Sequence, residues 1–353
     1  MGIFKKIAAS YNRKRPFVAY VKPNESIISG FFLENDNLHH VNNYTNSGFV
    51  FAPFSQSEDA ILFPSEQSEI LNEPLYLNTD LSTKKTSLLA PSDASKAQHI
   101  KIISKAIEEI KKNTYSKIVI SRCEEIKLQN FDVLSVFNSL LSNYRNAFVY
   151  VWFHPKVGLW LGATPETLLQ VSEKSFRTMS LAGTQLYQKN KKPNWRNKEL
   201  KEQRLVTNFI KNQLEPISYD LKVDDLETVR AGSLLHLRTK VNGNLKQNIS
   251  LEKLIRAIHP TPAVCGLPRE NSKDFILKNE TYDRAFYTGF LGELNLTNQS
   301  SRKKSSLFVN LRCMSIHGKT ARVYVGGGIT KDSDPEKEWL ETVAKTKTMK
   351  NVL

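Results

Sequence analysis

Two apolar runs, Ala147–Phe153 and Gly158–Gly162, lead through Ala163-Thr164-Pro165-Glu166 to a third at Leu168–Val171. Short runs that meet at Asn, Pro and Gly turns pair antiparallel, and this pattern restricts the fold more than any other in the chain. It recurs on both sides. Upstream, Phe17–Val21, Phe49–Phe51 and Ala60–Phe63 are separated by Asn/Ser/Pro/Gly breaks. Tyr115–Ser121 has a period of two, with Ile118 and Ile120 on one face and Lys117, Val119 and Ser121 on the other. Downstream, Phe176–Leu181 reads as a strand closed by Ala182-Gly183-Thr184. Val229–Val241 reads as a strand broken at Ser233–Leu237 and turning at Asn242-Gly243, and Tyr287–Leu294 as a glycine-punctuated strand.

Helical periods interrupt these strands. A turn and N-cap signal at Pro91–Ser95 opens a helix with Ile100, Ile103, Ile107 and Ile110 on one stripe, ended by Asn113. A second contains Glu199, Glu202, Leu205, Val206, Phe209 and Ile210, its acids at the end where a helix favours negative charge. Leu251–Ile258 is a short helix stopped by His259-Pro260-Thr261-Pro262, a buried rigid loop, and Lys273–Asn279 is helical. The last fifty residues give a strand carrying Arg312, a second strand ending in Gly326-Gly327-Gly328, and an acidic helix. That helix presents Glu338, Glu341 and Lys345 on one face. Read alone, Glu341 and Lys345 are an i,i+4 ion pair on a solvated helix, and the glycines are ordinary turns. The sharper alternative is that the pairs Glu199/Glu202 and Glu338/Glu341 supply carboxylate oxygens to one hard cation, which spacing alone signals only weakly.

With 353 residues, 40% of them apolar, the chain has material for a sizeable core. No apolar run approaches the ~20 residues that span a bilayer, and Met1–Pro23 has no apolar signal core, so neither secretion nor a membrane partner is expected. Cys123, Cys265 and Cys313 lack any metal or redox spacing and read as reduced thiols of a cytoplasmic protein. A net charge of +15 raises nucleic acid or an acidic small molecule as partner. Lys189, Lys191, Lys192, Lys303 and Lys304 fall in Asn/Ser-rich stretches that read as solvated loops, which places the excess at the periphery. Nucleotide-cradle, dinucleotide, serine-hydrolase and zincin signatures are all missing.

Several segments, taken in order, resemble the chorismate-utilising enzymes, the family of isochorismate, salicylate, anthranilate and aminodeoxychorismate synthases. They are Lys117–Arg122, Gly162–Glu166, Leu181–Thr184, Lys198–Glu202, His236-Leu237, His259–Gly266, Glu280–Gly289 and Gly326–Glu341. The resemblance covers residues 95–353 and leaves 1–94 as a divergent N-terminal part of the same domain. It implies a single α+β domain of two large, mostly antiparallel sheets packed together, with helices outside and the site between the sheets.

By that resemblance Mg2+ is the cofactor, with Glu202 and Glu341 as direct ligands and Glu199 and Glu338 as indirect or water-mediated ones. Arg312, Lys345 and Tyr287 engage the carboxylates of the substrate, chorismate. The backbone of Gly183, Thr184, Gly326, Gly327 and Gly328 approaches it closely, and His236 and Ala263 complete the binding set. Lys117 matches the base that activates water and Glu166 the acid that protonates the departing hydroxyl. An ammonium near 10.4 must then become neutral and a carboxyl near 4.3 stay protonated, and burial pushes both that way.

Lys117 stands where ammonia-using relatives have glutamine, Ala182 where aminodeoxychorismate synthases have lysine, and Ala263-Val264 resembles the isochorismate synthase form. The implied activity is reversible conversion of chorismate to isochorismate for menaquinone or catechol siderophore synthesis, by a monomer with no nucleic-acid partner. Salicylate synthase, which goes on to release pyruvate, is the alternative within the family, and a basic nucleic-acid-binding protein the alternative outside it. Two departures stand out: Gln203 follows Glu202 where histidine is frequent, and the glycine segment reads Gly-Gly-Gly instead of Gly-Ala-Gly.

Overall fold

A computed structural model of the chain describes residues 1–76, 92–189, 191–232, 234–297 and 301–353. Seven α-helices lie among them: α1 (Ile3–Asn12), α2 (Asp93–Lys111), α3 (Val133–Asn143), α4 (Asn197–Leu214), α5 (Leu251–Ile258), α6 (Arg269–Asn279) and α7 (Pro335–Lys350). Six strands precede α2: β1 (Phe17–Val21), β2 (Ile27–Leu33), β3 (His39–His40), β4 (Gly48–Ala52), β5 (Ile61–Pro64) and β6 (Ser68–Pro74). Between α2 and α4 run β7 (Lys117–Lys127), β8 (Phe148–His154), β9 (Gly158–Thr164), β10 (Thr167–Ser172) and β11 (Ser175–Leu186). Then follow β12 (Ser218–Val223), β13 (Glu227–Ala231), β14 (Leu234–Leu245), β15 (Gly266–Leu267), β16 (Phe290–Thr297), β17 (Lys303–Val309), β18 (Cys313–His317) and β19 (Thr320–Ile329).

The strands form two sheets, α+β in class, and each pairing among the described residues is antiparallel. One has nine strands in the order β15-β7-β19-β18-β9-β8-β1-β2-β6. The other has ten, β12-β14-β11-β10-β17-β16-β4-β5-β3 with β13 on β14. An aromatic core joins them: Tyr20, Phe31, Tyr150, Trp152 and Trp160 of the first sheet meet Phe49, Phe51, Leu291 and Phe308 of the second. On the first sheet's outer face, Ala19, Val149, Val151 and Leu161 pack under Ile3 and Ile7 of α1 and Phe137 and Leu140 of α3. On the second, Leu169, Val241 and Leu307 pack under Val206 and Ile210 of α4 and Leu254 and Ile258 of α5. Strands covered on both faces become continuous apolar runs, which is why β1, β4 and β8 are buried at each position.

The first 76 residues are threaded through both sheets, β1, β2 and β6 in one and β3, β4 and β5 in the other. They also open with α1, a helix that the strand-and-loop expectation for this region omits. Four further expectations need correction. The strand expected to close at Ala182–Thr184 continues to Leu186, because β14 carries it through a one-residue register shift at Gly183. Asn242-Gly243 is not a turn: Asn242 pairs with Arg177 and Gly243 with Phe176 inside β14, and Leu234–Leu237 belong to that strand. Lys303 and Lys304 begin β17, although both are exposed as expected. Arg312 lies between β17 and β18 instead of on a strand. The second C-terminal strand does end in its glycines as expected, β19 closing at Ile329 with Gly326–Gly328 opposite Ser121, Ile120 and Val119. Pro91 and Ser233 lie outside the described residues.

Candidate active site

A cavity opens where β7 and β19 of one sheet face β11 and β14 of the other, closed by α4 and α7. Of the residues expected at the site, Glu166, Gly183, Thr184, Glu202, His236, Ala263, Tyr287, Arg312, Gly326, Gly327, Gly328, Glu341 and Lys345 line it. Lys117, Glu199 and Glu338 stand behind that wall.

Glu166 sits at the β9–β10 connection and is 2% exposed. Burial pushes its carboxyl up to about 8, with the Lys117 charge pulling the other way, so the group is largely protonated at neutral pH. Lys117, the first residue of β7, is 0% exposed. Its Nζ stands 2.8 Å from Glu202 Oε1 as an ion-pair contact, at an angle outside hydrogen-bond geometry. It packs against Gly328: a Cβ there would come within 2.6 Å of Lys117 Cε.

Two cations face the opposite wall. Arg312 adopts a left-handed backbone with φ 47°, a costly conformation for a side-chain-bearing residue. Its Nη1 donates to Thr348 Oγ1 at 3.4 Å and its Nη2 approaches His236 Nε2 at 3.4 Å. Burial lowers the guanidinium from its ordinary value, against the charges of Glu341 and the neighbouring tyrosines. Burial, then the Arg312 and Lys345 charges, push His236 down to about 3 and keep the ring neutral. Nδ1 therefore donates to Gly183 O at 3.0 Å, and Nε2 accepts from Arg312. The bulge at Gly183, with φ 72°, turns that carbonyl toward the ring. Lys345 donates to Gly326 O at 3.0 Å and pairs with Glu341 at 2.6 Å.

The four acids divide. Glu341 and Glu338 reach Gly327 from α7, and Glu202 reaches Gly328 from α4. Burial and the neighbouring Glu341 charge hold Glu338 above the usual carboxylate range. Burial alone would raise Glu341 too, but Lys345, Lys198 and Arg312 outweigh it and hold it low. A buried carboxylate, Glu338, and a half-buried one, Glu341, in mutual repulsion, with a third opposite, have the oxygen-only chemistry of a hard-cation site. Among the described residues no three such side chains yet stand close enough to grip an ion, each of these being held by a lysine. Glu199 is turned away: it receives the Arg196 backbone N–H at 3.0 Å and the guanidinium at 2.7 Å, closing the N-terminus of α4.

Sequence reasoning passed over Lys198, which pairs with Glu338 across two helices. Burial pulls its ammonium down, but the Glu338 charge wins and the net direction is up. Tyr324 was also missed. It stacks on Tyr287 at 5.6 Å and on Trp160 at 5.2 Å, forming a wall of the cavity.

A deep cavity with paired cations at one wall and carboxylates with a buried acid at the other defines a protein that handles a small anionic molecule. The chain belongs to the chorismate binding enzyme family, whose model matches residues 47–353. Relatives include the isochorismate synthase MenF of Haemophilus influenzae, 29% identical over 250 residues, covering 68% of this chain and 56% of that protein. MenF of Bacillus subtilis is 29% identical over 279 residues, covering 75% and 57%. The chain thus spans little more than half the length of these curated relatives. The fold matches the crystal structure of a putative 2,3-dihydroxybenzoate-specific isochorismate synthase, DhbC, from Bacillus anthracis, with TM-score 0.81, 23% identity and 99% of both chains covered. It also matches menaquinone-specific MenF from Escherichia coli, with TM-score 0.78, 21% identity and 100% and 91% coverage. No helix among the described residues is long and apolar enough to cross a membrane.

Proposed function

We propose that this chain is an isochorismate synthase that interconverts chorismate and isochorismate, with Mg2+ as cofactor. The observation that carries the reading is Glu166, a carboxyl kept protonated by burial in a cavity whose other wall holds Arg312 and Lys345. The names of the relatives supply the substrate. In this reading water attacks C2 of the ring, Lys117 in its neutral amine form takes its proton, the ring double bonds shift, and the C4 hydroxyl leaves as water with the proton of Glu166. Solvent exchange then resets the two groups. Arg312 suits a planar carboxylate and Lys345 provides a point charge. Glu202 and Glu341 would hold the Mg2+, with Glu338 behind, and the ion when bound supplies charge to fix a substrate carboxylate.

The same reading makes the protein a cytoplasmic monomer acting on a small molecule, without nucleic acid or membrane as partner. Purified chain given chorismate and Mg2+ should yield isochorismate, resolved from its equal-mass isomer chorismate by liquid chromatography, and chelation by EDTA should abolish turnover. Release of pyruvate would mean salicylate synthase, and no turnover with salt-sensitive DNA binding would mean the basic-protein alternative.

A further inference from the structure

A basic cavity of about 330 Å3 opens beside α4, between the α2–β7 connection and the segment that follows β19. Its apolar lining is Ile110, which is buried, with Tyr115 and Leu205, which are half-buried. Around these stand Lys201 and Arg204, three residues apart on α4, and Lys331 beyond the end of β19, all exposed. Being exposed, all three cations can be reached by an incoming molecule.

Elsewhere on the surface such side chains find acids: Lys96 pairs with Glu336 at 2.8 Å, Arg256 with Glu252 at 2.8 Å and Arg322 with Glu125 at 2.9 Å. Here they do not. Among the described residues the side chains of Lys201, Arg204 and Lys331 have neither an ion pair nor a hydrogen bond, and the fourth cation of the lining, Lys198, is taken by Glu338. Asp332 is the one acid among the described lining residues, so positive charge is in excess. Like charges held around one concavity repel, and an anion relieves them. Three free cations against one acid call for more than one negative charge, and the Arg204 guanidinium offers a planar fork to an oxyanion. Tyr115 and Leu205 suit an apolar body, because covering them removes apolar surface from water. The volume lies at the small end of small-molecule sites.

We propose that this cavity is a second ligand site for a small dianion with an apolar body, whose charged group meets Lys201, Arg204 and Lys331 while its body lies against Tyr115 and Leu205. It shares no lining residue with the candidate active site and stands independently of the activity proposed above.

Calorimetric titration of the full chain with phenyl phosphate, without chorismate or Mg2+, tests this. The chain carries Arg312→Ala throughout, so that the candidate active site lacks its guanidinium, and Lys345→Met takes its place if circular dichroism shows that the first variant does not fold. Phenyl phosphate should bind, and inorganic phosphate, which lacks the ring, at least about tenfold more weakly. Adding Lys201→Glu and Arg204→Glu, both at exposed positions, should weaken phenyl phosphate by at least about tenfold. No binding, phosphate bound as tightly as phenyl phosphate, or an affinity unmoved by the two charge reversals would each overturn the proposal, the last by placing the probe elsewhere on the chain.

Discussion

The chemistry rests on two side chains whose burial differs in consequence. In the unfolded chain Glu166 loses its proton near 4.5, whereas in the folded chain it does so near about 8. Between those values the folded state holds the extra proton, so stability falls as pH rises through the window. Chemical-denaturation midpoints should decline from about pH 5 to about pH 8 and flatten over that range in Glu166→Gln. Turnover should fall above about pH 8 as the acid is lost, and the glutamine variant should lose about 10²–10⁴ in kcat. Lys117 offers a different signature, because it packs against Gly328 and is not among the residues that line the cavity. Lys117→Ala should lower kcat by about 10²–10⁴ with KM little changed and circular dichroism intact. A parallel rise in KM would mean that the lysine binds substrate and is not the base.

Among elements, β19 decides how close ligand and metal can come. A Cβ on Gly328 would collide with Lys117 and Glu202, whereas one on Gly327 would meet its nearest neighbour, Glu338 Oε2, at an ordinary 3.5 Å. Gly327→Ala should therefore keep fold and activity within about twofold, and Gly328→Ala should cost at least about tenfold in kcat/KM. Steady-state kinetics on the two variants separate the positions. The family's frequent alanine at the middle glycine agrees with this spacing.

That contrast also shows what sequence can and cannot disclose. Read alone, Gly-Gly-Gly looks like a turn because local propensity is all that a linear reading sees. The β7 ladder, two hundred residues away, keeps it extended. Gly183 and Asn242-Gly243 misled for the same reason, each being held in a strand by a partner remote in sequence. Lys198 gave no signal at all, since a helix lysine reads as solvated until a second helix brings Glu338 to it. By contrast α4, α5 and the run from β8 to β10 are legible, their apolar periods matching the faces that they bury. The acids, Arg312 and Lys345 were legible through motif order, and the turning of Glu199 to Arg196 was not.

For the whole molecule, the aromatic layer between the sheets ties the N-terminal strands to the candidate site. Phe51 of β4 stacks on Phe286 at 4.2 Å between ring centroids and meets Trp152 at 4.9 Å and Trp160 at 5.8 Å. Trp160 in turn stacks on Tyr324, and Tyr324 on Tyr287, both of which line the cavity. A continuous set of rings thus runs from β4, near the start of the family match, to the pocket wall. Phe51→Ala would open a cavity in this layer and should cost about 3–5 kcal/mol. Because both sheets share the layer, the loss should appear as one lowered calorimetric transition, with β4 and the site melting together. Two separate transitions, the upper one unmoved, would show that the N-terminal strands fold as a unit of their own and that the site does not depend on them.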